Sequence, residues 1–160
     1  MRRTRRLAAL LSVGAALALV ACAPLKSGPA PTVSFGNANP EAQQLYSLVN
    51  DERAAKGLGS VGWNDLLARL AQSWSDHMTG TGDYSHQNLD AVLQNPAFAG
   101  FSALGENIAH GGCGLSGEQL HQAWMNSPLH AANILGNWSV VGIGVTCNGS
   151  DLYATEDFGR

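Results

Sequence analysis

Two histidines and one glutamate, well separated along the chain, have side chains that could form a ligand-binding or reactive site. They are His86, Glu106 and His130, and each lies in a short segment rich in polar residues. Two imidazoles can bind a divalent metal such as Zn²⁺ through one nitrogen each. A carboxylate beside them can be a third ligand, orient an imidazole, or act as a base on bound water. The chemistry therefore depends on whether the fold brings these three residues together.

Capping signals and apolar periodicity predict the helices that must position these residues. Helices are expected where Asn or Ser precedes an apolar stripe of helical spacing. They are predicted to begin after Asn39, Asn64, Ser116 and Ser127, with a further short helix at 89–93. Ser116 and the glutamine three residues later match a capping box.

The middle and the end of the chain have different patterns. A long irregular stretch, 84–113, carries two of the three candidate residues, with one short strand predicted at 107–110. The segment 58–63 is predicted to be a connection. Residues 139–146 and 151–158 are predicted strands, because an Asn-Gly turn signal separates two stretches rich in apolar residues. Helices followed by a terminal hairpin predict an α+β fold or a three-layer sandwich.

The first 21 residues are typical of an export signal. Four arginines within the first six residues precede an uncharged apolar run at 7–20, which is shorter than a membrane-spanning helix. Residues 19–22 resemble a bacterial lipobox, in which the signal is cut before a cysteine that then receives lipid. Cys22 is thus the predicted lipid attachment site. The alternative is a plain signal peptide cleaved near Ala21 or Ala23.

Composition divides the rest of the chain into a flexible tether at 22–39, rich in Pro, Ser, Gly and Ala, and one domain at 40–160. The whole chain has 9 basic and 12 acidic residues, and removal of the four signal arginines leaves a formal charge of −7. This charge argues against nucleic acid as a partner. We expect a monomer whose link to the membrane is the lipid.

The two remaining cysteines are predicted to form a disulfide. Cys113 and Cys147 are an even pair in a chain expected to enter an oxidising compartment. The alternative is two buried thiols. Neither cysteine has the spacing of a thiolate metal site.

Several ordered segments together resemble the CAP superfamily of cysteine-rich secretory proteins, antigen 5 and pathogenesis-related proteins. They are VNDER at 49–53, LAQ at 70–72, YSH at 84–86, GENI at 105–108, WMNSPLHAANIL at 124–135, VGIGV at 141–145 and YATEDFG at 153–159. The long segment is similar to a motif of the bacterial subgroup. The resemblance covers nearly all of the predicted domain.

The resemblance implies a three-layer α-β-α sandwich with a small antiparallel sheet, and a cleft lined by two histidines and acidic residues. In this chain those residues are His86, His130 and Glu106. Many members have a second glutamate three residues after the tryptophan of the helix, where this chain has Ser127. We assign Ser127 to the cleft by position, although it is better explained as a helix N-cap.

Family members have been associated with lipid or sterol binding and with secreted interaction roles. The lipobox, the incomplete acidic set of the cleft and the absence of a nucleophile motif favour a binding protein over an enzyme. We predict a lipid-anchored protein on the extracytoplasmic side of the bacterial envelope, which binds a small ligand, a lipid or a partner through the cleft. One alternative is a metal-dependent hydrolase of peptide or envelope substrates. It would use His86 and His130 as ligands of Zn²⁺ or another divalent cation and Glu106 as the catalytic residue. The other alternative is a structural envelope protein whose cleft residues only stabilise the fold.

The remaining histidines and the tryptophans have simpler interpretations. His77, His110 and His121 are predicted to be ordinary helix or surface residues. The four tryptophans are predicted to pack in the core and between layers. No Gly-x-Ser-x-Gly elbow is present, which argues against a serine hydrolase.

Overall fold

The computed structural model describes residues 34–36 and 38–160. The predicted signal at 1–21, Cys22 and most of the tether at 22–39 lie outside the described residues. The described helices are α1 Pro40–Ala55, α2 Asp65–Thr81, α3 Leu89–Gln94, α4 Gly117–Met125 and α5 Pro128–Ile134. The described strands are β1 Gly62–Trp63, β2 Leu104–Gly112, β3 Val140–Cys147 and β4 Asp151–Gly159. A single 3₁₀ turn, Pro96–Phe98, follows α3.

Side-chain caps start three of the helices as predicted. The Asn39 side chain accepts a hydrogen bond from the backbone N–H of Ala42, and Asn64 accepts from the first turn of α2. Ser116 and Gln119 form the reciprocal bonds of a capping box at the start of α4. Ser127 does precede α5, but its side chain makes no capping hydrogen bond. Ser127 is therefore the N-cap of α5 by position, as predicted, but without a side-chain capping bond.

The four strands form one mixed sheet in the order β1-β3-β4-β2. β2 and β3 both pair antiparallel with the central strand β4, while the two-residue β1 pairs parallel with β3. The predicted sheet was antiparallel throughout and the segment 58–63 was predicted to be a connection. β1 corrects both predictions, because it pairs parallel with β3 and because it places a short strand at the end of that segment. β2 is also longer than the strand predicted at 107–110, because all nine of its residues pair with β4.

Helices cover both faces of the sheet, which confirms the three-layer α-β-α arrangement. On one face α2 lies directly on β3 at Gly142 and Gly144, where a Cβ atom would collide with the α2 backbone. The other face packs against α1, α4 and α5. Its core contains Trp124 and Phe158, both buried. The two glycines therefore let the first layer approach the sheet closely.

The outer edge of β2 is covered by side chains rather than by another strand. The carbonyl of Ile108 accepts hydrogen bonds from the Tyr84 hydroxyl and the Trp124 indole, at 3.1 and 3.0 Å. The carbonyl of Glu106 accepts from the Asn133 side chain at 2.8 Å. An uncovered edge would offer its backbone groups to other chains. Here the covering residues come from the same segments that carry the candidate histidines.

A buried arginine and a disulfide connect distant parts of the fold. Arg53 of α1 donates to the carbonyls of Gly59, Ile134 and Gly136, each at 2.8 Å. These bonds tie α1 to the C-terminal end of α5, where a positive charge is favourable. The predicted disulfide is confirmed. Cys113 and Cys147 are bonded with their Cα atoms 5.6 Å apart, which links the end of β2 to the end of β3.

Within the part of the chain that the structure describes, no helix is long and apolar enough to cross a bilayer.

Candidate functional site

The loop that carries His86 is tied to both α2 and β2. The indole of Trp74 in α2 donates to the carbonyl of Ser85 at 2.8 Å, and the Tyr84 hydroxyl bonds the edge of β2. His86 itself keeps 58% of its side chain exposed. The loop therefore holds an exposed imidazole beside the edge strand.

Glu106 contacts His86 from β2 with a carboxylate that is almost fully buried. Its side chain is 1% exposed, and Oε1 lies 2.6 Å from Nδ1 of His86. The backbone N–H of Gln87 donates to the same oxygen at 3.1 Å, and Nε2 of Gln87 donates to Oε2 at 2.6 Å. Three donors thus satisfy this carboxylate, and the sequence prediction had not included Gln87.

His130 lies on α5, where its backbone carbonyl is bonded to the same edge strand. Asn107 of β2 donates to the His130 carbonyl at 3.2 Å, and Asn133 donates to the Asn107 side chain at 2.9 Å. Burial lowers the pKa of His130, and the charge of His86 lowers it further. The structure therefore brings both histidines and Glu106 to one edge of the sheet. We call this site, formed by His86, Glu106 and His130, the edge cleft.

Ser127 is not joined to the edge cleft by any hydrogen bond of its side chain among the described residues. It lies at the start of α5, three residues before His130, and is half-buried. Its assignment to the cleft stays a prediction.

Two acids of β4 stand behind the cleft and were missed by the sequence analysis. Asp157 pairs with Glu106 across β2 and β4, and Glu156 pairs with Asn107. Both acidic side chains are buried. Burial raises the pKa of Glu156 to about 8, although a hydrogen bond from Asn107 partly lowers this pKa. Burial and then the charge of Glu106 raise the pKa of Asp157 well above its usual range, while a bond from Gln87 opposes that rise.

A signal for these two acids was present in the sequence. Glu156 and Asp157 are consecutive acids inside a predicted strand, and consecutive residues of a strand face opposite sides of the sheet. In a strand covered on both faces, both must then be buried.

The other histidines differ in their surroundings. His77 is exposed on α2 and stacks on Trp74. His110 is exposed at the far end of β2, stacks on Tyr153 and lies 3.3 Å from Asp151. These two agree with the simple interpretation.

His121 does not match a surface position. It is buried on α4, and its Nδ1 atom has no hydrogen-bond partner among the described residues. Burial lowers the pKa of His121, although nearby acids of α1 raise it.

The edge cleft is only partly suited to a metal ion. Among the described residues, no group of three or more His, Cys, Asp or Glu side chains is arranged to hold a metal. Glu106 is satisfied by its three donors, so the available ligands are the imidazole nitrogens of His86 and His130. Catalytic zinc sites usually have three protein ligands. The residues present therefore supply two ligands, one fewer than a catalytic zinc site usually has.

A separate concavity of about 610 Å³, which includes solvent-open space, lies beside α2. It is lined by Phe35, Gly36, Ala38, Asp65, Ala68, Arg69, Gln72 and Ile143. None of these residues belongs to the edge cleft. The edge cleft and this concavity are therefore different sites.

A family model described as "Cysteine-rich secretory protein family" (CAP) matches residues 46–158. The chain is 29% identical over 113 residues to YkwD, an uncharacterized protein of Bacillus subtilis strain 168. That alignment covers 68% of this chain and 43% of YkwD. The chain therefore spans less than half the length of this relative.

Solved structures with the same fold include an extracellular protein from Bacillus anthracis that contains an SCP domain. It has a TM-score of 0.64 and 29% identity, and the match covers 77% of this chain and 41% of that one. An outer surface protein from Borrelia burgdorferi has a TM-score of 0.67 at 18% identity, with 81% of this chain and 98% of that one covered. The second likeness concerns the fold alone.

Proposed function

Because the chain belongs to the cysteine-rich secretory protein (CAP) family, we propose that the edge cleft binds a small, uncharged, amphipathic ligand with a hydroxyl group. The single observation that carries this proposal is that three donors already hold Glu106 inside the fold. Its carboxylate accepts three hydrogen bonds and is buried. A general base needs a lone pair within reach of the proton it removes. Binding therefore suits the cleft better than turnover.

The tautomer of His86 supports a ligand that donates a hydrogen bond. With Nδ1–H directed at Glu106, Nε2 is the ring nitrogen of His86 that is left to contact a ligand. The lowered pKa of His130 keeps that second imidazole neutral near pH 7. A neutral imidazole at His130 favours a hydroxyl group over a carboxylate. The negative formal charge of the chain, −3, also disfavours an anion.

Exposed apolar side chains near the cleft support an apolar part on the ligand. Leu129, directly before His130, is 82% exposed, and Tyr84, two residues before His86, is 48% exposed. Each could cover part of a short alkyl chain.

Calorimetric titration with 1-octanoylglycerol, an uncharged lipid, tests this proposal against octanoate as its anionic match. We expect saturable binding of the glycerol ester and at least tenfold weaker binding of octanoate. Losing one hydrogen bond of about 1 kcal/mol should weaken binding of the ester roughly fivefold in His86→Ala. His77→Ala, which removes an exposed histidine outside the cleft, is the matched control. Equal affinity in His86→Ala and wild type would contradict the proposal.

One observation favours a second candidate, a metal-dependent hydrolase acting on peptide or envelope substrates. A carboxylate bonded to Nδ1 of a histidine, as Glu106 is to His86, is the usual outer partner of a metal-bound imidazole. His86 and His130 would hold the metal, which would supply a polarised water. Titration with Zn²⁺ alone distinguishes the two candidates. Micromolar binding that is lost in His130→Ala would support the second, and its absence would exclude a tight site.

The same variants also distinguish the third alternative, a structural envelope protein, from the two binding candidates. If the cleft residues only stabilise the fold, His86→Ala lowers the melting temperature and leaves binding of both the ester and Zn²⁺ unchanged.

We further propose that the protein is exported and held at the envelope by lipid on Cys22. The proposal is supported by the signal-like residues 1–21. It is also supported by similarity to the Bacillus anthracis protein, which is described as extracellular. Fractionation of cells that express Cys22→Ala tests the anchor. The variant should leave the membrane fraction, and a variant that stays there would disprove lipid attachment at Cys22.

A further inference from the structure

Asp157 lies directly behind the edge cleft. It is opposite Glu106 in the register of β2 and β4, so both side chains project from the same face of the sheet. That face is the one covered by α2, since Asp157 also pairs with Gly142. Two buried carboxyl groups therefore stand side by side beneath the loop that carries His86.

Gln87 joins the two acids through one amide nitrogen. Its Nε2 lies 2.6 Å from Oε2 of Glu106 and 3.1 Å from each carboxyl oxygen of Asp157. A side-chain amide has two N–H groups, so it can donate to both acids at once. The backbone N–H of Gln87 adds a further bond to Oε1 of Glu106. The amide group is thus held on both sides.

The two acids cannot both carry a charge at low cost. Glu106 has three donors, and Asp157 has Gln87 as its one side-chain donor among the described residues. When two buried carboxyl groups lie close together, each raises the pKa of the other, and the pKa rises more for the group with fewer hydrogen-bond donors. The raised pKa of Asp157 agrees with this assignment. Gln87 is accordingly the donor that allows the two carboxyl groups to lie side by side.

We propose that Asp157 and Gln87 are positioning residues of the edge cleft, which hold Glu106 so that it fixes the Nδ1 proton of His86. Asp157 anchors the Gln87 amide, and Gln87 holds both oxygens of Glu106. Glu106 in turn orients the imidazole and leaves Nε2 as the acceptor for the ligand. This inference rests on the proposed function only for the ligand that would bind the Nε2 atom.

The tautomer of His86 is the readout, measured by long-range ¹H–¹⁵N correlation on the full chain labelled with ¹⁵N-histidine at pH 8. Wild type should have a protonated Nδ1 and a bare Nε2 on His86. In Gln87→Leu the bridge is lost, and the ring should move toward the Nε2–H tautomer that a free imidazole prefers. Gln87 is half-buried, so this variant should fold. Unchanged signals of His77 and His110 verify the fold.

Variants of Asp157 separate positioning from simple packing. Asp157→Asn is neutral and keeps an oxygen that accepts from Gln87, so its His86 signals should match those of wild type. Asp157→Leu fills a similar volume without an acceptor, and should shift His86 as Gln87→Leu does. The proposal is overturned if Gln87→Leu keeps the wild-type tautomer, or if Asp157→Asn loses it. Neither result depends on whether 1-octanoylglycerol binds, so failure here is distinct from failure of the proposed function.

Discussion

Replacement of Glu156 by glutamine should change how the stability of the protein depends on pH. Glu156 is fully buried on the same face as the core residue Ile143, its partner across β3 and β4. One carboxyl oxygen accepts from Asn107 at 3.0 Å, and the other has no partner among the described residues. Burial raises the pKa of this carboxyl from 4.5 to about 8.

The sign and size of the effect follow from this pKa. The folded state binds the proton more tightly than the unfolded state, so the contribution of Glu156 to stability is complete below pH 4.5. It is lost progressively as pH rises to about 8. A pKa difference of this size corresponds to about 5 kcal/mol in total. Between pH 4.5 and 8.5 the loss should be about 4 kcal/mol.

Glu156→Gln has no proton to lose and should remove this contribution. Its amide can still accept from Asn107, but its nitrogen takes the position of the unpartnered oxygen, at a cost of about 1–3 kcal/mol. The variant should therefore be less stable than wild type at pH 4.5 and more stable at pH 8.5. Buried Asp157 has a raised pKa as well, so some decline with pH should remain.

Urea unfolding curves collected from pH 4.5 to 8.5 measure the difference in free energy of unfolding between variant and wild type. Glu118→Gln, at an exposed position of α4, is the matched control and should leave the pH dependence as in wild type. If Glu156→Gln and wild type lose stability in parallel as pH rises, the reasoning is refuted.

Three further predictions concern the fold around the cleft. Arg53→Met should lower the free energy of unfolding by about 3 kcal/mol, because the buried carbonyl of Ile134 and the part-buried carbonyls of Gly59 and Gly136 lose a charged donor. A loss below about 1 kcal/mol in urea unfolding would contradict this. Gly142→Ala should destabilise by about 1–3 kcal/mol, because its methyl group would collide with the α2 backbone. A melting temperature equal to that of wild type would show that α2 can shift freely. Replacing Cys113 and Cys147 together by serine should cost about 3–4 kcal/mol for the 34-residue separation. Mass spectrometry with and without reductant should find neither of these two cysteines free in the native protein, and finding both as free thiols would contradict the pairing.

Local signals predicted the helices, because a cap depends on residues only a few positions apart. Asn39, Asn64 and Ser116 each cap a helix as expected. The two-residue strand β1 could not be predicted in this way, since its pairing with β3 joins residues almost 80 positions apart. Ser127 is also the N-cap of α5, but it makes no capping bond, because residue type gives the position of a cap and not the direction of its side chain.

The site was predictable in part. His86, Glu106 and His130 were found from residue type and family resemblance, and the structure brings them to one edge of the sheet. Asp157 was missed because an acid in a strand is ordinarily exposed, and here β4 is central and covered on both faces. Gln87 was missed because its role depends on the register of β2 with β4, which no local pattern encodes.

The central claim is that the cleft binds an uncharged ligand through His86 held by Glu106. The most direct measurement is the ¹⁵N signal of Nε2 in His86 during titration of the wild-type protein with 1-octanoylglycerol. Nε2 should shift saturably as it accepts a hydrogen bond, while the Nδ1 proton stays bonded to Glu106. Saturation of the protein with no change at Nε2, or no binding at all, would contradict the claim.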